Sequence, residues 1–151
     1  DLDLHLDIVG TGPYLNDLKI LADKLDVDEK VTFHGRVDDD ELARIYAAAD
    51  IYLIPTMRYE GLPLALLEAM SHGIPTISSE IGGNADVITH DFDGLFIKPG
   101  DMDELVSSIR KLGDDPKLRS SISIAARETT EKRFDKERMV KETLEILENM
   151  S

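Results

Sequence analysis

A helix that is apolar on nearly every side constrains this chain more than any other feature. Leu64, Ala65, Leu66, Leu67, Ala69 and Met70 crowd into the stretch PTMRYEGLPLALLEAMSHG, Pro55 to Gly73. Such a helix leaves almost no wet face and is expected to be buried. It follows the apolar run Ile51 to Ile54 across a loop that holds Gly61 and Pro63. A run of that kind reads as a fully buried parallel strand. One charge, Glu68, interrupts the helix, and a buried carboxylate is costly unless something pairs with it. A second carboxylate, Glu60, stands just before the helix. Together they read as a ligand site. The plain alternatives are a helix residue that reaches solvent for Glu68 and a turn residue for Glu60.

The rest of the chain repeats the strand-then-helix order. Leu4 to Val9 alternates as a strand does, Gly10-Thr11-Gly12-Pro13 turns, and Leu15, Leu18, Leu21, Ala22 and Leu25 recur at helical spacing. A strand, a glycine turn and a helix can open a phosphate-binding unit. Position 15, where a third glycine would complete that fingerprint, is Leu15. A tight turn is the better reading. Val31 to His34 is a short strand ending at Gly35-Arg36-Val37. Asp38-Asp39-Asp40 caps a helix with the stripe Leu42, Ile45, Tyr46 and Ala49. After the apolar helix, Gly73 serves as a C-terminal cap. Thr76 to Ser78 is a strand, Gly82-Gly83 a loop, Asp86 to Ile88 a short helix or turn, and Leu95 to Lys98 a strand. Asp101, Asp115 and Asp135 then start three helices, the second with Pro116 at its first position. Their core sides are Leu105, Ile109 and Leu112; Leu118, Ile122, Ala125 and Ala126; and Met139, Thr143, Ile146 and Leu147.

Alternating strands and helices give an α/β fold: a Rossmann-like parallel sheet with helices on both faces, ending in a helical tail. Ligands on such sheets bind beyond the carboxyl ends of the strands. The loops at Gly10, Gly35, Pro55 to Pro63 and Ser79 to Gly83 all leave that edge. At 151 residues the chain is one domain's worth. It enters a strand almost at once after Asp1, so it is expected to be one domain, residues 1–151, of a longer protein. A net charge of −14 argues against nucleic acid and against an anionic lipid surface. The absence of cysteine excludes disulfides and thiolate metal sites and fits a reducing compartment. His5, His34, His72 and His90 show no metal-ligand spacing, and Tyr52 and Phe33 read as core. The Asp-x-Asp spacing within Asp38 to Asp40 sits at a helix start, where capping explains it.

The first amides of the apolar helix have no partner inside it, and the helix dipole favours an anion there. A diphosphate fits. Pro63 has no N–H, so Leu64 and Ala65 would donate. Glu68 lies one turn further in, about 5 Å along the axis. From there a carboxylate can accept two hydrogen bonds from a vicinal diol such as a ribose. Glu60 could hold sugar hydroxyls.

The spacing of Glu60 and Glu68 within this segment resembles the donor-site signature of the retaining GT-B glycosyltransferases of family 4. Six further blocks agree in order: Ile8 to Pro13, Val31 to Val37, Ala47 to Pro55, Ser78 to Ile88, Asp93 to Asp101, and Ala125 to Phe134. The resemblance covers essentially the whole chain and implies the C-terminal, nucleotide-sugar-binding half of a GT-B fold. It implies that Glu68 binds the ribose hydroxyls. Glu60 would be the catalytic-site carboxylate, contacting the donor sugar. Backbone from Gly61 and Leu62 to Leu64 and Ala65 would hold the diphosphate, and Gly35, Arg36 and Val37 would border the base. The donor would be a nucleotide-diphosphate sugar, transferred with retention and with no obligatory metal or other cofactor. The acceptor, a carbohydrate or lipid-linked saccharide, would bind an N-terminal domain. The setting would be cytoplasmic, peripheral to the membrane at most, and this segment alone would bind nucleotide weakly and transfer nothing. The sequence departs from the family pattern in three places. EGLP replaces the common EGFG, Gly82-Gly83-Asn84-Ala85-Asp86 carries a shorter acid than usual, and the basic residues for the diphosphate precede the Ile8 block. Arg58 beside Glu60 could reach a phosphate or stand in solvent. A non-catalytic nucleotide-sugar module and a GT-B epimerase are the competing readings. A receiver-type signalling module is disfavoured, because its first strand would end in acids and this one ends in Val9-Gly10.

Overall fold

A computed structural model describes residues 2–149. The chain divides into two compact units, residues 1–48 and 49–151.

In the first unit β1 (Leu6–Val9) leads to α1 (Leu15–Lys24), a 3-10 turn at Asp28–Lys30, β2 (Val31–Gly35) and α2 (Asp39–Ala48). The two strands are parallel, with Leu6 opposite Val31 and Ile8 opposite Phe33. The expected turn after β1 is present, and its Gly10 N–H donates to the Gly35 carbonyl at 2.7 Å. Asp38 caps α2 through its carboxylate, which accepts from the Glu41 N–H at 2.8 Å. The 3-10 turn was not expected. Only Ala22 and Tyr46 are fully buried apolar residues among those described here, and Leu18, Ile20, Leu21 and Leu25 of and after α1 are exposed.

The second unit holds β3 (Tyr52–Ile54), α3 (Leu64–Ser71), β4 (Thr76–Ser79), α4 (Asn84–Val87), β5 (Leu95–Ile97), α5 (Met102–Asp114), α6 (Pro116–Arg133) and α7 (Lys136–Asn149). Its strands form a parallel sheet in the order β3-β4-β5. Leu53 faces Ile77 and Ile77 faces Leu95. Alternation along the strands sends these residues and Ile97 to one side. There they form a core with Leu105 and Leu112 of α5 and Leu118 and Ile122 of α6. Ile54 and Phe96 point to the other side, toward Leu66 and Met70 of α3, Val87 of α4 and Ala126 of α6. Helices therefore cover both faces of this parallel sheet, as expected. The strands pair in parallel within each unit, β1-β2 in the first and β3-β4-β5 in the second.

Two burial expectations are corrected. β3 is half-buried along its length and not fully buried, and it stands at one end of the order β3-β4-β5. α3 buries one stripe: Leu66, Ala69 and Met70 are fully buried, while Leu64 is 65% exposed. These three residues, spaced i, i+3 and i+4, share one helix face, and Glu68 falls about 200° round from Leu66 at 100° per residue. Glu68 is accordingly exposed.

The caps follow the sequence. Asp101, Asp115 and Asp135 each accept backbone N–H groups at the starts of α5, α6 and α7. α3 ends in a Schellman motif, with Ile74 N–H donating to the Ala69 carbonyl and Gly73 N–H to the Met70 carbonyl. Gly73 sits at φ +72, where a side chain is strained. The stripe of α7 (Met139, Ile146 and Leu147) is exposed.

Asp93 ties the β4–β5 connection to α6. Its side chain is buried, accepting from the Thr89 N–H at 2.6 Å and from Thr129 Oγ1 at 2.7 Å. Thr129→Val keeps the side-chain shape and removes one donor from a buried carboxylate. The expected loss is about 1–3 kcal/mol of stability, read as a lower urea midpoint with an unchanged slope. An unchanged midpoint would show that Thr89 alone satisfies Asp93.

Candidate functional site

The loop from β3 to α3 carries the candidate carboxylates. Thr56 orders its start, since its Oγ1 accepts the Arg58 N–H at 3.0 Å. Arg58 is exposed. Glu60, Gly61 and Leu62 stand open to solvent, and Pro63 is fully buried. Pro63 is also the residue preceding the helix, at φ −80, and no side chain caps the amides of α3. Leu64 and Ala65 are exposed at that uncapped end. The N-terminus of α3 thus presents donors and the positive end of a dipole to solvent, as an anion site requires.

Glu68 lies on the same exposed side of α3 as Leu64, four residues earlier. The requirement for a compensating partner, inferred from expected burial, falls away. An exposed carboxylate is already solvated and can exchange water for a ligand's hydroxyls. The backbone carbonyl of Glu68 accepts from Ser71 Oγ at 2.7 Å and from His72 Nδ1 at 2.9 Å, closing the end of the helix.

Tyr52 joins the two acids. On β3 it shares a sheet face with Ile54, the face that α3 covers. Its phenol is held above the ordinary value of 10.0, first by burial and then by the negative charges of Glu68 and Glu60. One phenol therefore feels both carboxylates. Sequence reasoning assigned Tyr52 to the core; it is half-buried, with its polar end in the field of the site. Phe33 is likewise half-buried, in β2.

The loop after β4 completes the surroundings. Gly83 N–H donates to the Glu60 carbonyl at 2.8 Å, which brings Gly82-Gly83 onto the Glu60 loop. The paired glycines were read as a loop only; their adjacency was the signal for a close backbone approach. Ser79 and Asn84 are buried beside them, and Ser79 Oγ and Asn84 Oδ1 have no hydrogen-bond partner among the described residues. Asp86 is exposed, and its backbone carbonyl accepts from Arg133 Nη2 at 2.6 Å, which pins α4 to α6.

Gly35, Arg36 and Val37 lie at the carboxyl end of β2 in the first unit, with Arg36 exposed and the other two half-buried. The histidines make local bonds: His5 with Thr32, His34 with Asp7, and His90 as acceptor from the Phe96 N–H. No group of acids, histidines or cysteines that could hold a metal occurs among the described residues. No helix among them is long and apolar enough to cross a membrane.

An exposed carboxylate before the uncapped start of α3 and another one turn inside it, at the carboxyl edge of a parallel sheet, can meet an anion and a ligand's hydroxyls. Residues 1–129 match the family model for glycosyl transferases group 1. The chain belongs to that family. It is 37% identical over 133 residues to sulfoquinovosyl transferase SQD2 of Arabidopsis thaliana, covering 86% of this chain and 25% of that one. It is 35% identical over 138 residues to a GDP-mannose-dependent alpha-(1-6)-phosphatidylinositol monomannoside mannosyltransferase of Mycobacterium tuberculosis, covering 86% and 36%. Its fold superimposes on HepE of Anabaena, crystallised with UDP, with a TM-score of 0.89 at 23% identity, over 97% of this chain and 41% of that one. The chain therefore spans 25% to 41% of the length of these three proteins.

The Tyr52 shift has a consequence for stability. With the folded pKa above the unfolded one, the native state keeps the proton where the unfolded chain has lost it. This contribution is complete below pH about 10 and is lost as pH rises through the folded value. Tyr52→Phe should abolish that alkaline loss. Glu68→Gln should lower the Tyr52 pKa toward 10.0, read from the ring-carbon shift during an NMR titration. A Tyr52 titration that ignores the charge at position 68 would separate the phenol from the site.

Proposed function

We propose that this chain is the donor-binding domain of a retaining glycosyltransferase that moves a sugar from a nucleotide-diphosphate sugar to a glycan, lipid-linked or small-molecule acceptor. One observation carries the reading. Glu60 and Glu68 flank the uncapped N-terminus of α3, and both act on Tyr52. The Leu64 and Ala65 amides donate to the diphosphate, whose charge the helix dipole favours. Glu68, on the exposed face of α3, accepts the two ribose hydroxyls. Glu60, at the tip of the loop, takes the donor sugar's hydroxyls and is the catalytic-site carboxylate. The phosphates are held by amides and a dipole, which serves transfer without an obligatory metal.

The relatives support a sugar donor of this chemical class, though they differ in detail. HepE has been crystallised with UDP-glucose, and the mycobacterial relative is named for GDP-mannose. The acceptor is assigned to polypeptide outside these 151 residues, and the setting to saccharide assembly at the cytoplasmic face of a membrane. A nucleotide-sugar module without transfer would keep Glu68 and has no need of Glu60; the presence of both favours the enzyme.

The test is a titration of the chain with UDP, GDP, ADP and their sugar conjugates, followed by amide NMR. Preferential binding of one nucleotide, with shifts at Leu64, Ala65 and Glu68, is expected. Glu68→Ala should weaken that binding by about 1–3 kcal/mol, the size of lost charge-assisted bonds. Unchanged affinity in the variant would remove Glu68 from the site. Sugar transfer by this chain alone would contradict the assignment of the acceptor site to other polypeptide.

A further inference from the structure

Gly83 has an ordinary backbone. It sits at φ −62 and ψ −14, a right-handed conformation that alanine adopts more readily than glycine. Conformation does not call for glycine here, but space does. A Cβ at position 83 would stand 1.8 Å from the Gly61 carbonyl oxygen, 2.7 Å from its carbonyl carbon and 3.2 Å from Pro63 Cδ. Gly82 adds the same demand with a conformational one. Its φ is +56, and a Cβ there would stand 2.6 Å from the Glu60 carbonyl oxygen and 3.0 Å from the Glu60 nitrogen. The nearest of these obstacles are backbone atoms, which cannot rotate aside as a side-chain end can. The Glu60-Gly61 peptide thus rests directly on Gly82-Gly83, fastened by the 2.8 Å bond from the Gly83 N–H to the Glu60 carbonyl.

The Glu60 side chain is exposed and makes no hydrogen bond or ion pair among the described residues. Its backbone therefore sets the Cα–Cβ direction from which the carboxylate reaches out. Buried Pro63 anchors one end of that short segment, and the glycine pair anchors the other. The seat is itself fixed from below. Asn84, buried next to Gly83, donates through Nδ2 to the Ser79 carbonyl at 3.2 Å.

We propose that Gly82 and Gly83 are positioning residues, a side-chain-free backbone seat that aims the Glu60 carboxylate at the donor sugar. The aim at the sugar rests on the reading of Glu60 given above; the seat does not. A Cβ at position 83 lifts the Glu60-Gly61 peptide and turns the carboxylate away, while Leu64, Ala65 and Glu68 stay in place on α3. Nucleotide binding through the Leu64 and Ala65 amides and Glu68 is thereby separable from sugar recognition by Glu60, with Gly61 on the sugar side of the division.

Two measurements test this. In the unaltered chain, a through-hydrogen-bond NMR coupling between the Gly83 nitrogen and the Glu60 carbonyl carbon is expected; its absence overturns the seat, whatever any variant does. In Gly83→Ala, the Glu60 and Gly61 amides should shift, and the amide of residue 83 should exchange about tenfold faster with solvent, with Ile77 and Leu95 unchanged. Unmoved Glu60 and Gly61 amides overturn the proposal. Calorimetry with UDP against UDP-glucose, and with GDP against GDP-mannose, reads the consequence. Gly83→Ala should lose about tenfold of the affinity that the sugar adds and leave nucleotide affinity intact. Glu60→Ala should do the same, and the double variant should lose no more than Glu60→Ala alone. Equal weakening of nucleotide and nucleotide sugar by Gly83→Ala overturns the positioning role. A sugar increment that survives Glu60→Ala overturns the assignment of Glu60 to the sugar and, with it, the seat's aim, while the coupling and exchange results judge the seat by themselves.

Discussion

Strand β4 is buried over all four residues and runs between the other two strands of its sheet, with Ile77 in one of the two cores of the second unit. Ile77 supplies the centre of one core, where β3, β5, α5 and α6 meet. The opposite face carries Thr76 and Ser78, which are small and satisfied locally, so α3 can lie close above them. Thr76 donates to the Ile74 carbonyl and Ser78 to the Ser79 carbonyl. A larger residue at either position would push α3 outward. The candidate site inherits its rigidity from this arrangement, since β4 delivers Ser79 and then Gly82-Gly83 to the same edge at which β3 delivers the Glu60 loop.

Much of the fold was legible because it depends on local chemistry. The aspartates at 38, 101, 115 and 135 were readable as caps, because a carboxylate ahead of an apolar-periodic segment has one good use. Gly73 was readable as a helix stop for a similar reason. Burial was less legible because it depends on what lies alongside. Composition made α3 look apolar all round, and only packing reveals that Leu66, Ala69 and Met70 face the sheet while Leu64 and Glu68 do not. β3 looks like a central strand from its residues, yet it is half-buried at one end of its sheet. The apolar residues of α1 and α7 make the same point: period predicts a helix and a stripe, and says nothing of what covers the stripe.

The candidate site was more legible in its placement than in its physics. Glu60, Glu68, Leu64 and Ala65 stand around one helix start, as their spacing implies. The reason offered for Glu68, a buried charge in need of a partner, does not hold. Exposure gives it a better reason, because a solvated carboxylate costs little to keep and can trade its water for hydroxyls. Tyr52 escaped notice because a tyrosine in an apolar strand reads as core. Its connection to both acids is a matter of which sheet face it occupies and of long-range charge, neither of which has a local sequence signature.

Pro63 shows how the parts depend on one another. In place of a common glycine it removes one N–H from the set facing an anion. In return it holds φ near the helical value just before α3 and fills a buried volume under the loop. A Cβ at position 83 would meet the Pro63 ring at 3.2 Å as well as the Gly61 carbonyl. The ring and the bare glycine therefore share one space, and the proline is tolerable because position 83 has no side chain. The loop loses a donor and gains a fixed entry to the helix, so its remaining amides, Leu64 and Ala65, are held in one direction. If the site grips phosphate through backbone as proposed, donors that need no ordering on binding are worth more than one extra donor on a loop free to move.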